Sequence, residues 1–211
     1  MSDQDAVSFW ENRYAERDRI WSGHPNAALV STASDLTPGH ALDLGCGEGG
    51  DTVWLAKQGW QVTAVDIATN AITRGRVAAA DRGVAEDAIT WIVHDLATWQ
   101  PTQEYDLVSA CFLHSPVEFP RTEVLRRAAS AVAPGGHLLI VGHAEPPPWS
   151  AHAHDHPDLP GPAEELAGLE LDAASWDVVV SEVRSREATS RDGEQATLRD
   201  VVTFLRRQAT P

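Results

Sequence analysis

Leu42-Asp43-Leu44-Gly45-Cys46-Gly47-Glu48-Gly49-Gly50 joins a short apolar run to a glycine-rich loop. The run, Ala41 to Leu44, reads as a buried strand. Asp51 to Gln58 reads as the helix that follows, with Val53, Trp54 and Leu55 inward and Gly59 closing it. Glycines 45, 47 and 50 satisfy G-x-G-x-x-G, a tight turn that brings backbone and a helix N-terminus close to an anionic ligand. Several cofactors exploit that device, and the pattern alone does not choose among them. Cys46 lies where the turn demands a small side chain, so it reads as a turn residue and not as a nucleophile.

Outward from the loop, strand and helix signals alternate. Gln61 to Asp66 reads as a second strand, and Thr69 is expected to cap a helix that runs to about Arg82 and stops at Gly83. Ile89 to His94 and Tyr105 to Phe112 read as the third and fourth strands. A helix is expected over Thr122 to Val132, then a turn at Pro134-Gly135-Gly136, then a fifth strand over His137 to Val141. Such alternation implies right-handed crossovers and a parallel sheet covered on both faces. The tail departs from it. Trp176 to Arg184 and Ala196 to Leu205 are strand-like and flank the turn signal Arg191-Asp192-Gly193, an antiparallel hairpin. The expected fold is therefore α/β, doubly wound and mostly parallel, with an antiparallel end. Upstream, Val7, Trp10, Tyr14 and Arg17 recur at helical spacing, and Pro25 is placed to start a short helix through Val30. One domain is expected over residues 1–211, with a helical cover over 1–36 and the core fold over 38–207.

The chain has 211 residues, 43% of them hydrophobic, enough for one core without covalent staples. Its formal net charge is −15, and Lys57 is the sole lysine. That balance repels phosphate backbones and anionic membrane surfaces, so neither nucleic acid nor membrane is an expected partner. No apolar stretch approaches the ~18 residues of a membrane span. The polar, acidic start Met1-Ser2-Asp3-Gln4-Asp5 is unlike a secretory leader. Two cysteines, Cys46 and Cys111, fit neither a disulfide framework nor a zinc spacing, and a reducing cytoplasm is the expected location.

Asp43, just before the first glycine, separates the cofactor readings. A carboxylate there would repel a pyrophosphate but suits an ammonium group. Asp66, at the end of the second strand, suits a ribose diol, as it would in a nicotinamide enzyme. A ligand with an ammonium, a carboxylate, a ribose and an adenine uses all these features, and S-adenosyl-L-methionine is that ligand. Ala41 to Gly49 resembles the first motif of class I S-adenosylmethionine-dependent methyltransferases. Val65-Asp66, His94-Asp95-Leu96, Tyr105-Asp106-Leu107-Val108 and Ala133-Pro134-Gly135-Gly136 resemble the later motifs in order. The resemblance covers about residues 38–207 and implies a seven-stranded sheet, an Asp66 that binds the ribose and an Asp95 that meets the adenine amino group. Phe9-Trp10-x-x-x-Tyr14 and Trp21-Ser22-Gly23-x-Pro25-Asn26 are similar to the branch that includes tellurite-resistance and thiopurine methyltransferases, where the front segment covers the cofactor.

The candidate cofactor residues are accordingly Asp43, Gly45, Gly47, Gly49, Asp66, Ile67, Asp95, Leu96, Tyr14 and Trp21. Ile67 and Leu96 flank the expected adenine, although core packing explains each equally well. Tyr14 and Trp21 are placed to stack near cofactor or substrate, while Trp10 reads mainly as core. His114 and His143 follow strands four and five at the carboxyl edge, where open parallel sheets build their sites. They are the candidate base or orienting groups. His152, His154, Asp155 and His156 lie on a segment with six prolines between Ala144 and Pro162, and read as solvated loop or lid rather than as a metal site. No metal is expected. The expected activity is methyl transfer to a small-molecule acceptor by a monomer or homodimer. The alternatives are a macromolecular acceptor, cofactor binding without catalysis, and a nicotinamide-dependent oxidoreductase, against which Asp43 and Asp95 count.

Overall fold

The computed structural model describes residues 6–149, 159–190 and 192–209. Its strands are β1 (His40–Leu44), β2 (Gln61–Asp66), β3 (Ile89–Val93), β4 (Tyr105–Cys111), β5 (Val132–His143), β6 (Trp176–Thr189) and β7 (Gln195–Arg207). Its α-helices are α1 (Ala6–Ala15), α2 (Ala27–Ala33), α3 (Gly50–Lys57), α4 (Thr69–Asp81), α5 (Arg121–Ser130) and α6 (Pro162–Leu169). The strands form one seven-stranded sheet in the order β3-β2-β1-β4-β5-β7-β6. The first five are mutually parallel, and β7 runs antiparallel between β5 and β6. This is the expected doubly wound sheet with an antiparallel end.

Alternation along the strands divides the core in two. On one face Leu139, Val141, Val202 and Phe204 pack with Leu29 of α2 and Leu55 of α3. On the other, Leu42, Leu138, Ile140 and Leu205 pack with Val124 and Leu125 of α5. Both faces are covered, as a parallel sheet requires. Strands β1, β2, β4 and β5 end at Leu44, Asp66, Cys111 and His143, which brings their carboxyl ends to one edge. Among the described residues no helix is long and apolar enough to cross a membrane.

Three local expectations are corrected. Helix α5 stops at Ser130, because Val132 already pairs with Tyr105 of β4. The Pro134-Gly135-Gly136 turn becomes an irregularity inside β5, where the register slips between Tyr105 and Leu107. Gly136 is needed for close approach: a Cβ there would lie 2.9 Å from the Ala133 carbonyl oxygen and 3.0 Å from those of Tyr105 and Asp106. Gly136→Ala should therefore cost roughly 1–3 kcal/mol in urea unfolding. An unchanged midpoint would show that β4 gives way freely. Finally, Thr69 does not cap α4. Ala68 occupies that position, and Glu11 of α1 accepts hydrogen bonds from the Thr69 and Asn70 N–H groups at 2.7 and 3.2 Å.

Candidate active site

The loop between β1 and α3 turns through three glycines with positive φ, Gly45 at 68°, Gly47 at 51° and Gly49 at 79°. Gly47 is constrained twice. Its backbone is left-handed, and a Cβ on it would stand 3.1 Å from Tyr14 Oη and 3.3 Å from Trp21 Nε1. Its N–H donates to Asp66 Oδ2 at 2.8 Å, while Ala68 N–H donates to Oδ1 at 2.9 Å. Asp66 thus joins the end of β2 to the glycine loop. Burial pushes its carboxyl up to about 6, against the pull of those N–H groups.

Asp43, at 2% exposure on β1, accepts from Thr52 Oγ1 at 2.6 Å. Among the described residues its other oxygen has only a long contact, 3.4 Å, from Ser109 Oγ. Burial, then the charge of neighbouring Asp51, pushes Asp43 up to about 7. Asp51 accepts from the Asn26 N–H at 2.5 Å, and burial raises it as well. Buried Asp43 and Asp66 and half-buried Asp51 therefore meet beneath one loop, and no described salt bridge joins any of them to a cationic side chain. Buried carboxylates are costly unless paired, and a ligand that brings positive charge or donors would offset that cost. The glycine cradle and this donor-hungry set fit an ammonium group and a ribose diol. Asp51 was not foreseen; it reads in sequence as an ordinary acid in a helix's first turn.

The front segment lies on this loop. Tyr14 is buried at 3% exposure and accepts from Trp21 Nε1 at 3.0 Å, so the two expected aromatics pair over Gly47. Burial and nearby Asp66 push the Tyr14 phenol far above its ordinary value, so it stays neutral. Glu48, unforeseen in the sequence, ties the segment down. Its carboxylate accepts from Ile20 N–H at 3.1 Å, Trp21 N–H at 2.9 Å and Arg74 Nη1 at 2.8 Å. Arg74 of α4 also donates to the carbonyls of Tyr14 and Arg17, each at 2.5 Å.

Beyond β4 the chain turns sharply. Phe112 has φ of 55°, a left-handed backbone rare for a bulky residue and frequent at functional sites. Arg121 Nε donates to the Leu113 carbonyl at 3.0 Å while its guanidinium pairs in bidentate fashion with buried Glu165. Leu113 in turn presses on the glycine loop, its Cδ1 only 2.7 Å from where a Gly45 Cβ would be. The candidate bases meet here. The His143 N–H donates to His114 Nε2 at 3.3 Å, and the two rings stack with centroids 6.0 Å apart. His143 also packs on Phe112, with centroids 4.4 Å apart, and its Nδ1 lies 3.1 Å from Asp200 Oδ1 on β7. Arg186 of β6 donates to the other Asp200 oxygen at 2.5 Å. Burial raises Asp200, but these two partners outweigh it and hold it below the usual carboxylate range.

The remaining candidates are placed as follows. Asp95 Oδ1 accepts from the Ala97 N–H at 2.8 Å, capping the turn after β3. Leu96 is 5% exposed and packs in the core with Val65 and Trp99. Ile67 packs against Tyr14, Ala68 and Ala71 beneath the front segment. Gly45 and Gly49 flank Gly47 in the turn, and Gly49 leads directly into α3. The histidines at 152, 154 and 156 and Asp155 lie outside the described residues. Among the described residues no group of three His, Cys, Asp or Glu side chains is arranged to hold a metal ion.

Residues 41–136 match the family model described as a methyltransferase domain. That stretch is similar to a methyltransferase domain. The chain is 36% identical over 111 residues to a ubiquinone biosynthesis O-methyltransferase from Xanthomonas euvesicatoria, a match covering 53% of this chain and 46% of that one. It is 31% identical over 166 residues to ribosomal RNA small subunit methyltransferase C from Alcanivorax borkumensis, covering 74% and 48%. The chain thus matches about half the length of these curated relatives. The solved structure of the N-methyltransferase NodS from Bradyrhizobium japonicum in complex with S-adenosyl-L-homocysteine superimposes with a TM-score of 0.67 at 19% identity, covering 96% and 99%. The resemblance to class I S-adenosylmethionine-dependent methyltransferases is borne out in domain and fold.

Proposed function

We propose that this methyltransferase moves the methyl group of S-adenosyl-L-methionine to a small-molecule acceptor. The observation that carries this reading is the glycine cradle of residues 45–49 flanked by buried Asp43 and Asp66, neither paired with a cationic side chain among the described residues. Asp43 would hold the ammonium end, Asp66 the ribose hydroxyls, and the turn at Asp95 the adenine. Tyr14 would cover the glycine loop, with Trp21, itself 51% exposed, hydrogen-bonded to it on the solvent side. When bound, the cofactor supplies an activated methyl group, so the chain's main task is alignment, which contributes on the order of 7–11 kcal/mol in well-oriented reactions. His114 and His143 stand on the acceptor side, reached from the cofactor loop through Leu113. An RNA acceptor, as named for the Alcanivorax relative, fits poorly with a net charge of −15.

Titration calorimetry with S-adenosylhomocysteine and with NAD tests the reading. Micromolar binding of the former and none of the latter is expected. Tight NAD binding with no heat from S-adenosylhomocysteine would overturn it. Asp66→Asn should weaken S-adenosylhomocysteine by about 1.5–3 kcal/mol, the range for hydrogen bonds to a charged acceptor. Unchanged affinity in a folded variant would remove Asp66 from the ribose site.

A further inference from the structure

We infer that the acceptor is a hydroxyl compound whose proton is taken by His143 Nε2, and that Asp200, itself held by Arg186, is the positioning residue for that step. The inference rests on the methyl-transfer reading above and adds the acceptor class and the base.

An ionised carboxylate only accepts hydrogen bonds, so a neutral His143 whose Nδ1 faces Asp200 at 3.1 Å must carry its proton on Nδ1. The lone pair is then on Nε2, which has no hydrogen-bond partner among the described residues. Arg186 keeps Asp200 ionised by donating to its second oxygen, and the same guanidinium lies 5.5 Å from the Phe112 ring that packs on His143. Imidazole, carboxylate and guanidinium are thus drawn from three adjacent strands, β5, β7 and β6, on rigid backbone rather than on a loop. Such an arrangement serves little purpose for a thiolate, which arrives without a proton to lose. It suits a hydroxyl, which must shed one as its oxygen forms the new bond.

The balance is simple. The acceptor O–H bond breaks and its proton goes to His143 Nε2; an O–C bond to the methyl carbon forms as the C–S bond breaks, its electron pair staying on sulfur. The imidazolium left behind is stabilised by Asp200 and later loses its proton to water. Among the described residues, Asp200 from β7 and His114 from the segment after β4 contact His143, and Arg186 from β6 reaches it through Asp200. Arg121, paired with Glu165, comes within 3.9 Å of where a Gly142 Cβ would be, on the neighbouring residue of β5. Cys111, at the end of β4, lies within electrostatic reach of Asp200, and burial keeps its thiol neutral.

The first test needs no turnover. In the S-adenosylhomocysteine complex of the full chain, nitrogen-15 imidazole spectra should show neutral His143 protonated on Nδ1. In Asp200→Asn the Nδ1–H proton should resonate upfield, because its charged acceptor is gone. A proton on Nε2, or an Nδ1–H resonance unmoved in Asp200→Asn, overturns the proposal. The second test supplies labelled S-adenosylmethionine with 3,4-dihydroxybenzoate, 4-hydroxybenzoate and chlorogenate as hydroxyl probes, and 4-mercaptobenzoate and dithiothreitol as thiol probes. Label is expected in a hydroxyl probe. His143→Ala should lower its kcat about 100-fold or more with S-adenosylhomocysteine affinity intact. Asp200→Asn should lower kcat with KM little changed, and Asp200→Glu should restore part of the loss. Label in thiols alone, or in no hydroxyl probe, overturns the proposal while leaving cofactor binding, and with it the broader reading, standing. Failure to bind S-adenosylhomocysteine at all overturns both.

Discussion

Glu48→Ala is expected to lower folding stability by roughly 3 kcal/mol and to release residues 10–21 from the glycine loop. Glu48 is 6% exposed and is the shared acceptor for two backbone N–H groups and one guanidinium. Its removal strands Arg74, whose side chain is 26% exposed and whose other hydrogen bonds go to the carbonyls of Tyr14 and Arg17. Breaking one half of a buried pair costs about 3–5 kcal/mol, and partial exposure of Arg74 places this one at the lower end. The effect should be local before it is global. Tyr14 and Trp21 meet Gly47 only while Ile20 and Trp21 are held by Glu48, so hydrogen exchange over residues 10–21 should accelerate more than exchange in β4. Urea unfolding gives the total, and the double variant Glu48→Gln, Arg74→Met separates charge from packing. Replacing both partners should recover part of the loss, since no unpaired charge remains. If Glu48→Ala leaves both the unfolding midpoint and exchange of the front segment unchanged, Glu48 is a spectator and the cover is held by its aromatics alone.

The sheet was legible because its signals are local. Each parallel strand from Ala41 to Val141 is a short apolar run bounded by glycine, proline or an acid, and both periodicities point to the same layers. Asp43, Asp66 and the glycines were legible for a related reason: their chemistry depends on positions within one turn. The residues missed act across distance. Asp200 lies far along the chain from His143 and meets it only because β7 inserts beside β5 with His143 opposite Asp200. Nothing within β7 marks that acid as different from its neighbours. Glu48 sits within the glycine loop, yet its role depends on a partner in α4 and on backbone N–H groups of a segment with no regular structure. Glu11 capping α4 from α1 is the same kind of event, a cap supplied in space when the residue at the expected position does not provide it. Strand β5 misled differently. Proline and two glycines read as a turn, but their neighbours on both sides pair with β4, and the chain absorbs the extra residues as a bulge.

Asp43→Asn should stabilise the ligand-free protein at pH 8 while weakening S-adenosylhomocysteine by about one to two orders of magnitude. In the folded state burial and the charge of Asp51 push Asp43 up to about 7, against 3.8 for an exposed aspartate. The folded protein therefore holds a proton over a range where the unfolded chain has lost it. Stability falls with pH wherever the native state binds more protons, so the Asp43 contribution declines between about pH 4 and 7 and is flat on either side. Asp66, raised to about 6, adds a decline of the same sign that ends lower. Asparagine removes the charge at similar shape and can still accept from Thr52 Oγ1, so the variant should be more stable by roughly 1–3 kcal/mol at pH 8 and little changed at pH 4. Ligand reverses the preference. An ammonium beside Asp43 favours the ionised carboxylate, so binding below pH 7 must expel a proton and affinity for the wild-type chain must rise with pH until that proton is already gone. Calorimetry in buffers of different ionisation heat measures the proton directly, and the variant should release less of it. If Asp43→Asn is no more stable at pH 8 and binds S-adenosylhomocysteine as the wild type does, Asp43 is not the ammonium ligand. The buried charge is then a cost that this ligand does not offset.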